Sequence, residues 1–97
     1  MEETQLIVIM EEITIFLANV GEENWANAIS SLRTEYEIAS TPQEKKSSLI
    51  RIQQIYGGMG SFSDLVLSDN NGRMLLDENA QLDDLRNELF VLLTKIR

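Results

Sequence analysis

The sequence predicts a mainly helical domain, a small bundle of about four helices with a short β-hairpin between the third and the last. Three observations carry that expectation. Apolar residues recur at spacings of three and four through most of the chain, the period of a helix face. Thr41-Pro42-Gln43-Glu44 reads as a helix start, with a Thr cap, Pro at the first helical position and Glu three residues after the cap. A glycine-rich stretch, Tyr56 to Phe62, then breaks the helical pattern ahead of an Asn71-Gly72 turn set between two short apolar runs.

The first helix is expected from Glu3 to about Asn19, because Leu6, Met10, Ile13, Phe16, Leu17 and Val20 share one face. Ile7, Val8, Ile9 and Ile15 widen that face, so the helix is either central to the bundle or shared with a partner. Gly21 stops it. A second helix follows from about Glu22 to Ile38, with Trp25, Ala28, Ile29, Leu32 and Tyr36 as its core stripe. The connection is so short that the two helices must pack as an antiparallel hairpin.

The third helix begins at Pro42 and places Leu49, Ile52, Ile55 and Tyr56 inward, with Lys45, Lys46 and Arg51 toward solvent. Gly57, Gly58 and Gly60 come next. Their structural reading is that Gly57 ends the helix in the left-handed conformation and the others turn the chain; the functional reading is a loop that cradles a ligand. Phe62 is expected to plug this loop onto the helices, the other reading being an exposed anchor. Asp64–Leu67 and Arg73–Leu76 are then expected to pair as the hairpin, which two strands alone would hold only marginally. From about Ala80 to Ile96, leucines at 82, 85, 89 and 92 followed by Ile96 make a packing helix that could also serve a dimer.

Ninety-seven residues, 43% hydrophobic and 25% charged, suit one globular domain over residues 1–97 with one modest core. The absence of cysteine and histidine removes disulfides, thiolate zinc sites, the cysteine nucleophile and the commonest general base. The N-terminus carries Glu2 and Glu3 where a secretory leader would be basic, and Leu6 to Met10 is too short an apolar run to cross a bilayer. A cytoplasmic location is the expectation. The net charge of −8 makes nucleic acid and anionic membrane poor partners.

No constellation of residues points to catalysis, and no cofactor is implied. The glycines follow a helix and have no lysine nearby, which excludes a Walker loop. Leu67 to Glu78 places Asp69, Asn71, Gly72 and Glu78 at calcium-loop positions, but Leu67 stands where the first ligand must be an aspartate, so the reading is an Asx-rich turn.

The charge is uneven, with eight acidic side chains against one arginine in residues 1–40. Glu11 and Glu12 lie mid-helix, where the helix dipole gives no reason for them, whereas Glu22 and Glu23 open the second helix, where it does. Together with Glu35 and Glu37 they could form one acidic surface suited to a basic patch on another protein; simple solubility is the plainer explanation.

Tyr56 to Leu67, YGGMGSFSDLVL, followed by the Asn-Gly turn and a leucine-rich terminal helix, resembles a small bacterial family of uncharacterised function that carries a Gly-Gly-Met-Gly-Ser-Phe segment before Asp-Leu and an apolar strand. The likeness covers the second half of the chain. Such families are similar to those found beside toxin genes, so the resemblance implies an immunity-like role and no catalytic residues.

The functional expectation is therefore a non-catalytic acidic binding protein, an immunity or inhibitor protein in which Glu11, Glu12, Glu22 and Glu23 help occlude a basic site on a partner protein. The alternative is a homo-oligomeric structural or assembly module, in which helix one or the terminal leucine seam makes a homodimer.

Overall fold

The computed structural model describes residues 2–57 and 61–96. Four helices run through them: α1 (Glu2–Asn19), α2 (Glu23–Ile38), α3 (Pro42–Gln54) and α4 (Leu76–Ile96). A single 3-10 turn, Phe62–Asp64, lies between α3 and α4. None of the described helices is long and apolar enough to cross a membrane.

Helix α1 is the centre of the bundle. It buries Leu6, Ile9, Met10, Ile13 and Leu17 and packs on both α2 and α4. Full burial of each such side chain contributes about 1.5–3 kcal/mol. The broad apolar face of α1 does not all go inward, because Val8 and Ile15 stay exposed.

Gly21, at a φ of +86°, ends α1. The Glu22 N–H donates to the Leu17 carbonyl at 2.8 Å and the Gly21 N–H to that of Ala18 at 3.2 Å, a Schellman closure that needs a left-handed residue. The reversal brings α2 back antiparallel, and the Arg33 guanidinium on α2 reaches Glu11 on α1 at 3.1 Å. Tyr36, Ile29 and Ala26 fill the α2 side of the core.

The capping box of α3 forms as the sequence predicts. The Thr41 hydroxyl accepts from the Glu44 N–H at 3.1 Å, and the Glu44 carboxylate accepts from the Thr41 N–H at 3.3 Å. Glu44 also takes the Ser40 N–H and hydroxyl, both at 3.0 Å, and these bonds, the Ser40 backbone bond foremost, hold its carboxyl below the ordinary glutamate range. Thr41→Ala is expected to cost about 1 kcal/mol in urea unfolding at neutral pH. Because the Glu44 pKa is depressed in the folded chain, its contribution is present above the ordinary value of 4.5 and fades as pH falls through the lowered one. The penalty for removing the carboxylate with Glu44→Ala should shrink over that acid window, and a pH-independent penalty would contradict the reciprocal box.

Two expectations need correction. Gly57 is not left-handed: among the described glycines only Gly21 and Gly72 have positive φ. The end of α3 tightens instead, with the N–H groups of Ile55, Tyr56 and Gly57 each donating to the carbonyl three residues back, and the Phe62 N–H returning to the Ile55 carbonyl at 2.8 Å. Those bonds satisfy the terminal carbonyls without a left-handed residue. Gly58 and Gly60 lie outside the described residues.

The β-hairpin is also absent among the described residues, where one antiparallel bridge, Ser68 to Met74, stands in its place. The turn itself is real: Gly72 has φ +80°, and the Asp69 carboxylate accepts from the N–H groups of Asn71 and Arg73. Pairing stops after one bridge because Asn79 intercepts it. The Asn79 amide accepts from the Leu67 N–H and donates to the Leu67 and Leu75 carbonyls, all at 2.8 Å, filling the place of a neighbouring strand. Leu76, expected to end a strand, begins α4.

Candidate functional site

Glu3, near the start of α1, and Ile96, at the end of α4, line one cleft at an end of the bundle. The two helices therefore run antiparallel, and equal steps along each keep residues level: Val8 with Val91, and Glu12 with Asn87 and Glu88. Between them lies an open groove of about 510 Å³. Ile9 and Leu92 make its floor, while Val8 and Val91, 47% and 39% exposed, stand on its walls. Glu12 and Glu88 mark one end and Lys95 the other. No ion pair within the described residues engages any of these three charges.

The cleft at the bundle end is roomier, about 710 Å³, but its chief cation is already committed. Lys45 donates to the Tyr36 carbonyl at 2.6 Å and sits 4.1 Å from the centre of the Tyr36 ring, capping the C-terminus of α2. Burial, with the Glu3 charge as the smaller influence, pushes the Tyr36 phenol above its ordinary range, so it stays neutral and serves as packing.

A polar cluster around the 3-10 turn is likewise spent on structure. The Arg86 guanidinium donates to the carbonyls of Phe62 at 2.7 Å and Leu65 at 3.0 Å and pairs with Asp83. The Tyr56 hydroxyl donates to the Arg86 carbonyl at 2.9 Å, and burial, offset in part by Arg86, drives the Tyr56 pKa strongly upward. The Ser63 hydroxyl is held by Ser61 and the Tyr56 carbonyl. None of these groups is an activated nucleophile with a base beside it. Among the described residues, no cluster of acidic side chains could hold a metal ion.

Phe62 is wholly buried, its ring 5.1 Å from Trp25 and 6.0 Å from Tyr56, so it plugs the turn onto α2 and α3. The four acidic residues singled out in the sequence do not lie together. Glu11 is tied to Arg33, which also holds Glu37 at 2.7 Å, and Glu35 pairs with Arg51 at 3.0 Å. Glu12, about 100° round the helix from Glu11, faces the α4 side instead. Glu22 and Glu23 sit at the hairpin end, more than about 10 Å further along α1 by helix rise.

Residues 18–76 match a domain of unknown function, DUF6966. The chain belongs to the DUF6966 family. The match takes in α2, α3 and the bridged turn and stops as α4 begins, so every residue lining the α1–α4 groove lies outside the DUF6966 segment. Phe62 and Leu67, which anchor the turn, lie inside it; Arg86 and Asn79, which hold them, do not. No curated protein and no solved structure matches the chain.

Sequence reasoning missed Val91, Glu88 and Lys95. Their signal was present: residues 84, 88, 91 and 95 form a second stripe on α4, opposite in character to its leucine seam. Asn79 and Arg86 carried no such signal for holding the turn, because the main-chain groups of Phe62, Leu65 and Leu67 that they hold there lie twelve to twenty-four residues away.

Proposed function

We propose that the chain acts by binding another protein chain through the α1–α4 groove, with no catalytic chemistry of its own. The observation that carries this is the groove's make-up: half-exposed valines between charges that have no partner within the described chain. A hydrophobic centre with a polar rim is the anatomy of a protein interface. A bait comparison tests the reading. Wild-type protein and a Val8→Asp/Val91→Asp variant, both immobilised, are exposed to lysate of the native host; the reading expects at least one protein, which can be the chain itself, to be retained by the first and lost from the second. Identical retention profiles would overturn it.

An immunity or inhibitor role against a basic partner is the second reading. Arg33, Arg51, Arg86 and Lys45 turn onto the chain's own acceptors, and although Lys46, Arg73 and Lys95 make no ion pair among the described residues, neither do Glu2, Glu3, Glu12, Glu22, Glu23 and Glu88, so acidic groups outnumber basic ones among these unpaired charges. A single basic protein released from the wild-type bait at moderate salt would favour it.

A further inference from the structure

We infer that the occupant of the α1–α4 groove is a second copy of the same chain, docked antiparallel about a two-fold axis that crosses the groove at the level of Val8 and Val91. The inference rests on the binding reading above.

Register and charge select that occupant. Val91 lies three residues after Glu88 and four before Lys95, so one helical turn separates it from an opposite charge on either side. Across the groove Glu12 lies level with Glu88, and Thr4, level with Lys95, is uncharged. One end of the groove is therefore doubly acidic, the other basic, and the middle apolar. Two carboxylates on facing walls with no cation between them repel each other in the isolated chain, which an external cation would relieve.

A two-fold axis lying in the contact plane, across the helices, exchanges the ends. Lys95 of the second copy then comes over Glu12 and Glu88 of the first, and symmetry repeats the contact at the other end. Val8 and Val91 meet their own counterparts in the middle. A foreign basic helix would satisfy the acidic end but set its positive charge against Lys95; a second copy satisfies both ends at once. With the axis there, about thirteen residues of α1 overlap, roughly 20 Å of helix, and two helices abreast give a contact of about 400 Å² a side. A standard stable interface buries about 800 Å² a side, so the dimer is weak and reversible.

Sedimentation velocity at low ionic strength, from a few micromolar to about 500 µM, reads the association. The wild-type chain is expected to move from monomer to dimer across that range. Lys95→Glu alone and Glu12→Lys/Glu88→Lys alone should each remain monomeric, because each sets like charges against like at both ends. An equimolar mixture of the two variants should recover the dimer, since the lysines of one then face the glutamates of the other. These are exposed or half-exposed positions, and an unchanged thermal midpoint confirms folding. A wild-type chain that stays monomeric to the top of the range, a dimer indifferent to both variants, or a mixture that fails to associate would each overturn the inference. A monomeric wild type whose bait still retains some other protein through Val8 and Val91 would leave the binding reading standing.

Discussion

Phe62→Ala is expected to destabilise the fold by about 3–5 kcal/mol, the range for removing a fully buried aromatic ring. The ring touches Trp25 from α2 and Tyr56 from the end of α3, and the Arg86 guanidinium stands 5.8 Å from its centre. Truncation would open a cavity where three elements meet. It would also loosen the turn whose Phe62 N–H closes the end of α3 and whose carbonyls hold Arg86. Urea unfolding measures the loss, with Phe62→Leu as comparison: keeping most of the volume, it should cost clearly less. Equal midpoints for wild type and Phe62→Ala would show that the ring is not the plug described above.

Asn79→Leu comes second, at roughly 2–4 kcal/mol. Its amide oxygen accepts from the Leu67 N–H at 2.8 Å, and Leu67 is itself buried. Removing the amide leaves that donor and the carbonyls of Leu67 and Leu75 short of a bond, and each buried group left unpaired costs about 1–3 kcal/mol. The Leu75 N–H still donates to the Leu67 carbonyl at 3.0 Å, which limits the damage on that side. Amide exchange at Leu67 gives the sharpest readout, since its protection should fall more than that of the α1 core. Asn79→Asp should not rescue it, because a carboxylate can accept from Leu67 but cannot donate to either carbonyl. Retained protection at Leu67 in the leucine variant would mean that the strand-like turn stands without α4.

The helices were readable from the residues because their causes are local. Spacing marked the buried faces of α1 and α4, Gly21 the end of α1, and Thr41 with Glu44 the start of α3 to the residue. The bridged turn was half readable. Asn71-Gly72 does turn the chain, but how far the flanking strands pair is decided by Asn79, whose side chain occupies what a strand would need. Gly57 misled for a related reason: the N–H that closes α3 comes from Phe62, and nothing in the glycines announces it. Glu11 stood out as a mid-helix charge without a cause, and the cause is Arg33, twenty-two positions on. The groove was half visible as the surplus apolar width of α1. Its other wall needed the register between the two end helices, which only the folded chain supplies.

The central place of α1 bears on how the chain comes to be folded. Its buried stripe is completed on one side by α2, across a connection of a few residues, and on the other by α4, which begins fifty-seven positions after α1 ends. Closing the near pair is entropically cheap and the far pair more costly. During synthesis the α1–α2 hairpin can zip while the flank of α1 that awaits α4 still faces water. The bundle's last seam to close is thus the one beneath the groove. Until α4 has been made, a nascent chain carries a sticky helix, and the acidic residues crowded into its first forty positions help keep neighbouring nascent chains apart.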